Sequence, residues 1–139
     1  MRITRGSDYG LRGMLYMARQ PMGQVCLVSQ VAAAESLPES YLAKIFQDLA
    51  RHRLLMSHRG AKGGFSLLSN PEEINLLQII EALQGPVAIA PCLDKREGCE
   101  RSPLCEISEA LDLAQEQMLA VLKSTTLADL AERQDGNAN

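Results

Sequence analysis

Residues 39–68 read ESYLAKIFQDLARHRLLMSHRGAKGGFSLL, and this stretch decides the fold. Leu42, Ile45, Phe46 and Leu49 recur at i, i+3, i+4 and i+7, which predicts a helix over about 39–51 with one apolar stripe. Ser40, Tyr41, Lys44, Gln47 and Asp48 fall on the other side, and Arg51, His52 and Arg53 follow at its end. Beyond it, Leu54-Leu55-Met56 and Phe65-Ser66-Leu67-Leu68 read as two short strands. The segment between them, Ser57-His58-Arg59-Gly60-Ala61-Lys62-Gly63-Gly64, is rich in glycine and base. Upstream, residues 28–35 predict a shorter helix, joined through Ser36-Leu37-Pro38 with proline at or just before the next first turn.

Two short helices across a tight turn, followed at once by a basic hairpin, have the order of a winged helix-turn-helix. The partner this implies is double-stranded DNA. Ser40, Tyr41 and Lys44 would meet base edges, while Arg59 and Lys62 would lie along the backbone or in a minor groove. The glycines let a backbone approach closely, but the spacing of a nucleotide-binding Walker loop is absent.

Outward from this centre, residues 7–19 predict a first helix. Ser7 is its expected N-cap, Asp8 complements the helix dipole, and Leu11, Met14, Leu15 and Ala18 face the core. Pro21 and Gly23 end it, Val25-Cys26-Leu27 reads as a short strand, and Cys26 reads as a core residue. A further helix is expected from Asn70-Pro71 to about Gln84, with Leu76, Leu77, Ile80 and Leu83 apolar and Gly85-Pro86 as its stop. The last long helix is expected over 103–123, with Ser102 as N-cap and Pro103 at its first position. Its Leu104, Ile107, Leu111, Ala114, Met118 and Val121 alternate by three and four as a coiled-coil seam does. Because a winged helix already has a core, the seam predicts a homodimer, which would set two readers on the half-sites of a palindromic operator.

The expected fold class is mainly α: a winged helix-turn-helix with a small β-hairpin wing and a long C-terminal dimerisation helix. The expected organisation is a DNA-binding domain over 1–86 and a cysteine-bearing loop over 87–105. The dimerisation helix and a short C-terminal helix would then occupy 103–131, and a disordered tail 132–139.

Charge supports that division. The net charge of −3 hides an asymmetry: residues 1–62 hold nine Lys or Arg against four acids (+5), and 63–139 hold five against thirteen (−8). A basic half beside an acidic half suits a phosphate-facing module joined to a partner-facing part. No apolar run is long enough to cross a bilayer, and the start, MRITRGSDYG, lacks the apolar centre of a signal peptide. The expected compartment is the cytoplasm, where thiols stay reduced and clustered cysteines more often bind metal than pair.

Residues 92–105, CLDKREGCERSPLC, carry that cluster: Cys92, Cys99 and Cys105 at C-x6-C-x5-C in a polar loop. Thiolates are soft ligands suited to iron–sulfur clusters, zinc or copper(I), and the paired knuckles of structural zinc are missing, so the spacing favours a cluster. A metal-free thiol switch is the main alternative, and a structural zinc site a further one. Thiol oxidoreductase chemistry is disfavoured, since there is no CxxC and no nucleophile–base pair at recognisable spacing, so no enzyme is expected.

MRIT with DYGLR, SYLAKIFQDL, RGAKGGF, PEEINLLQIIEAL, the triple-cysteine loop and STTLADL together resemble the Rrf family of bacterial winged-helix regulators, over residues 1 to about 131. The resemblance implies a DNA-binding transcriptional regulator, a repressor that senses nitric oxide, redox or iron status. It implies a dimer crossed by the long helices, the second reading helix in the major groove and the wing in the minor groove. Cys92, Cys99 and Cys105 would be the ligands of a 2Fe-2S or 4Fe-4S cluster. In one branch a histidine three residues after the last cysteine is the fourth ligand, but here that residue is Ser108. Another branch uses an acid near the start of the partner subunit's first helix, which matches Asp8 here. Asp8 therefore carries two readings, dipole partner or cross-subunit ligand. His52 and His58 are expected to meet phosphate or solvent.

Overall fold

The computed structural model describes residues 2–94 and 106–136, with side chains to residue 133. Its elements are helices α1 (Arg5–Ala18), α2 (Val28–Glu35) and α3 (Glu39–Arg51), strands β1 (Leu55–His58) and β2 (Gly64–Leu67), and helices α4 (Leu76–Gln84), α5 (Glu106–Ser124) and α6 (Leu127–Gly136). This is the expected mainly helical winged helix.

Helices α2 and α3 fall where the sequence puts them. The predicted stripe of α3 is the centre of the core: Leu42, Phe46 and Leu49 are fully buried and Ile45 nearly so. Phe46 meets Phe65 of β2 edge-on, at a centroid distance of 5.4 Å, which locks the hairpin to α3. Ser36, at φ 55°, ends α2 in the left-handed conformation, and Leu37 N donates back to Ala32 O at 2.9 Å. That left-handed residue makes the tight turn between the two helices.

The first helix differs from its expectation in a way that matters for packing. Thr4 caps it, accepting from Ser7 N at 3.1 Å, so Ser7 is not the cap but an inward residue with no exposed surface. The tightly packed face is Ser7, Gly10, Gly13, Met14 and Met17. A Cβ on Gly10 would come within 2.3 Å of Leu83 Cδ1, and one on Gly13 within 2.6 Å of Phe46 Cε1. Glycine here sets how closely α1 approaches α3 and α4, and Leu11, Leu15 and Ala18 pack around that contact, partly buried.

The hairpin pairs Leu55 with Leu67 and His58 with Gly64 in antiparallel register. The expected strand 25–27 is a single bridge: Cys26 N donates to Phe65 O at 2.8 Å and Phe65 N to Cys26 O at 2.9 Å. Cys26 is buried, as expected of a core residue, and burial pushes its thiol pKa up.

The helix expected from residue 70 is divided. A 3-10 turn, Pro71–Glu73, gives way to extended Ile74 and Asn75, and α4 starts with a capping box in which Asn75 Oδ1 accepts from Gln78 N at 2.9 Å and Gln78 Oε1 from Asn75 N at 2.8 Å. Its buried residues are Ile79 and Ile80, with Leu76, Leu77 and Leu83 only partly covered. The extended pair has a partner. Leu76 N donates to Thr125 O at 3.0 Å and Leu127 N to Ile74 O at 2.9 Å, which clips the end of α5 to the start of α4.

Helix α6 then returns onto α1. Leu127 is fully buried in the main core, and Thr126 and Asp129 exchange backbone–side-chain hydrogen bonds at 3.0 and 3.1 Å to cap the helix. Those bonds hold the Asp129 carboxyl below its ordinary value. The short C-terminal helix packs on the main core through Leu127 and runs to Gly136, so residues 132–136 are helical.

Candidate DNA interface and sensor site

The N-terminal half of α3 projects Ser40, Tyr41 and Lys44 outward, all three exposed. Pro38 precedes the helix and Glu39 occupies its first turn, so the start of α3 is fixed in direction by a rigid entry. Tyr41 is held on one side by α1. Its ring meets Tyr9 of α1 edge-on at 5.6 Å, and its hydroxyl lies 3.1 Å from where a Cβ on Gly6 would sit. At 40% exposure it still offers its outer edge to a ligand. Further along, Asp48 and Arg51 form an ion pair, which leaves Lys44 as the exposed cation in the middle of the helix.

Arg59 and Lys62 are both exposed at the hairpin tip. Gly63 N donates to Gly60 O at 2.9 Å, closing the turn that carries them. Gly60, at φ 102°, gives the turn a backbone conformation that L side chains rarely adopt, and a Cβ on Gly63 would press to 2.5 Å from His58 O. His58 is half-buried, and its Nε2 lies 2.8 Å from Ser66 Oγ across the hairpin, so it also braces the wing. His52 is exposed at the end of α3 with Nδ1 2.8 Å from Asp48 O.

Of the sensor residues, Cys92 and Asp8 are described, while Cys99 and Cys105 lie outside the described residues, as do Ser102, Pro103 and Leu104. Cys92 is half-buried in a 3-10 turn, Pro91–Leu93, packed on α5. The connector before it is also tied to that helix, Ile89 N donating to Gln115 Oε1 at 2.9 Å. Asp8 stands in the first turn of α1, where a carboxylate favours the helix dipole, and its side chain pairs with Arg12 at 3.2 Å while staying 46% exposed. Ser108, standing where one branch of the family has a histidine ligand, is buried.

The seam of α5 is open. Ile107 is 70% exposed and Val121 62%, Ala114 is also exposed, and Leu111 and Met118 are half-covered. Leu113 beside it is exposed as well.

Comparison with known proteins settles the family. A profile described as Rrf2, iron-dependent transcriptional regulator, matches residues 3–133. The chain belongs to the Rrf2 family. It is 31% identical over 136 residues to the HTH-type transcriptional regulator NsrR of Halalkalibacterium halodurans, covering 97% of this chain and 93% of that one. The structure of CymR, the global cysteine regulator of B. subtilis, superposes with a TM-score of 0.75 at 31% identity over 96% of this chain and 98% of that one. IscR of T. potens shares the fold, with a TM-score of 0.73 at 23% identity over 96% of this chain and 88% of that one. The Rrf2 chain described here is thus a DNA-binding transcriptional regulator and not an enzyme. Among the described residues, no helix is long and apolar enough to cross a membrane.

The small-residue face of α1 escaped the sequence reading, although Ser7, Gly10, Gly13 and Met17 recur at helical spacing. The Asn75–Gln78 and Thr126–Asp129 boxes were also visible as spaced pairs. No signal in the sequence marks the Tyr9–Tyr41 contact, which depends on how α1 crosses α3.

Proposed function

We propose that this chain is a cytoplasmic, homodimeric repressor that binds a palindromic operator and releases it when an iron–sulfur cluster on its cysteine loop is lost or modified. The observation that carries the reading is the position of Cys92, at the end of a connector fastened to α5, the helix whose open seam would meet the partner. A change in the loop is thereby joined to the surface that sets the distance between two α3 helices.

The donor set fits the group. Cys92, Cys99 and Cys105 would supply three soft thiolates, and Asp8 of the partner subunit a harder, more labile fourth ligand. When bound, the cluster would supply a centre reactive to nitric oxide, oxygen or iron exchange, in either the 2Fe-2S or 4Fe-4S form. The protein's part is positional. Ser40, Tyr41 and Lys44 read bases, Arg59 and Lys62 hold the backbone or minor groove, and α5 spaces the two copies. Asp8 must exchange its bond with Arg12 for the ligand role, so the pair is a natural point of competition. Only a difference in DNA affinity between two dimer geometries can turn loop chemistry into regulation.

A second reading has its own support. The oxidised form of CymR from Staphylococcus aureus aligns over 95% of this chain, at a TM-score of 0.71 and 30% identity, and CymR is the global cysteine regulator of B. subtilis. On that reading the same thiols act without metal, by reversible oxidation. Anaerobic purification of wild type and Cys99→Ala separates the two. A cluster predicts visible absorbance with iron and sulfide in the wild type and its loss in the variant. Colourless wild-type protein whose DNA affinity still follows thiol oxidation would establish the switch instead.

A further inference from the structure

The N-terminal arm, residues 2–4 ahead of α1, is bonded on its free side to a side chain of α4. Gln84, the last residue of α4, accepts from Thr4 N at 3.1 Å through Oε1 and donates to Arg2 O at 3.0 Å through Nε2. A side-chain amide facing a backbone in this way imitates one rung of a sheet, so the arm has a defined path where chain ends usually fray. Arg2 of the arm and Arg5, the first residue of α1, are exposed, and neither enters an ion pair among the described residues. Asp8, the carboxylate that lines a cleft with them, is already engaged by Arg12.

The arm's neighbour gives this arrangement its meaning. Tyr41, in the first turns of α3, rests on Tyr9 and against Gly6, so the start of α1 lies directly beside the reading end of α3. Arg2, Ile3, Thr4, Arg5, Asp8 and Tyr9 line one open cleft of about 670 Å³ at this position. A helix lying in a major groove has phosphates along both of its sides. The arm leads into the start of α1, which flanks the N-terminal turns of α3.

We propose that Arg2 and Arg5 form a third DNA contact, gripping backbone phosphates beside the bases that α3 reads, with Gln84 as the positioning residue that keeps the arm there. The proposal rests on α3 being the reading helix. It assigns the arm an affinity role and no sequence role, because phosphates carry no base identity.

The test uses full-length protein on two duplexes, one selected by the protein from a random pool and one of unrelated sequence, across a salt series. Each phosphate contact contributes about 0.9 to the slope of log affinity against log salt, so Arg2→Ala with Arg5→Ala should lower the slope by about 1.8. At 0.1 M salt the loss should be on the order of tenfold per arginine, equal on both duplexes, with the preference between them retained. Gln84→Ala leaves every charge in place and should weaken binding to both duplexes at an unchanged melting temperature. An unchanged slope in the double variant overturns the proposal, as does a loss confined to the selected duplex. An unchanged slope with altered cluster absorbance would also overturn it and place the arginines against the partner chain. Wild-type protein that enriches no duplex from the pool would defeat the reading helix itself, whereas wild-type binding with an unchanged slope in the double variant defeats only the arm.

Discussion

Replacing Gly64 with alanine tests how the wing is attached. Gly64 sits at φ 154°, and a Cβ there would lie 2.3 Å from Cys26 O and 2.9 Å from Cys26 C. Both obstacles are backbone, so no side-chain rotation relieves them; the bridge between residue 26 and Phe65 must open. Two hydrogen bonds of 2.8 and 2.9 Å are then lost. At about 1 kcal/mol each they contribute roughly 2 kcal/mol. An alanine forced to a positive φ adds about 1–2 kcal/mol, for a total of about 3–4 kcal/mol. With an unfolding entropy of about 2.1 cal/mol/K per residue, a chain of this length should melt roughly 10 °C lower. Gly60→Ala is the control. Gly60 has φ 102° but nothing within 4 Å of its Cβ position, so only the backbone strain applies. Thermal unfolding by circular dichroism measures both. A Gly64→Ala protein that melts no lower than Gly60→Ala would refute the argument that the Cys26 bridge fixes the wing.

Three further outcomes follow from other elements. Val121→Glu, on the 62%-exposed end of the α5 seam, should shift the protein from dimer to monomer in sedimentation equilibrium without unfolding it; a persistent dimer would remove the seam as the interface. The Asp129 carboxyl is held down by its bonds to Thr126, so its contribution to stability is present above the unfolded carboxylate pKa and fades as pH falls through the lower folded value. Asp129→Asn should therefore show a flatter stability profile on the acid side than wild type, and parallel profiles would dismiss the effect. Cys26, 1% exposed and with its thiol pKa raised by burial, should resist alkylation at pH 8 in the folded protein and react after denaturation; rapid native labelling would contradict its place in the core.

The parts legible in the sequence were those in which apolar side chains mark the buried face. Leu42, Ile45, Phe46 and Leu49 located α3 because each is large and each faces the core. The start of α1 was misjudged because Thr4 and Ser7 are both competent caps three residues apart, and hydrophobicity is silent about a face built from glycine and serine. The α4 boundary moved because Ile74 and Asn75 pair with a segment about fifty residues away, and nothing local records that Leu127 is buried in the main core. At the site, the exposed residues of α3 and the wing turn could be read from their chemistry alone. The bracing of His58 and the packing of Tyr41 could not, since each depends on a partner chosen by tertiary structure.

The most direct test of the central claim joins metal analysis to DNA binding on one sample. Protein purified without oxygen is assayed for iron and sulfide, then titrated onto a duplex selected from a random pool, before and after exposure to nitric oxide or oxygen. The account predicts iron and sulfide in the starting sample and an affinity that changes by about tenfold or more, a coupling of at least ~1.4 kcal/mol, when the cysteine loop changes state. Protein without iron, binding the duplex equally well in both conditions, would contradict it.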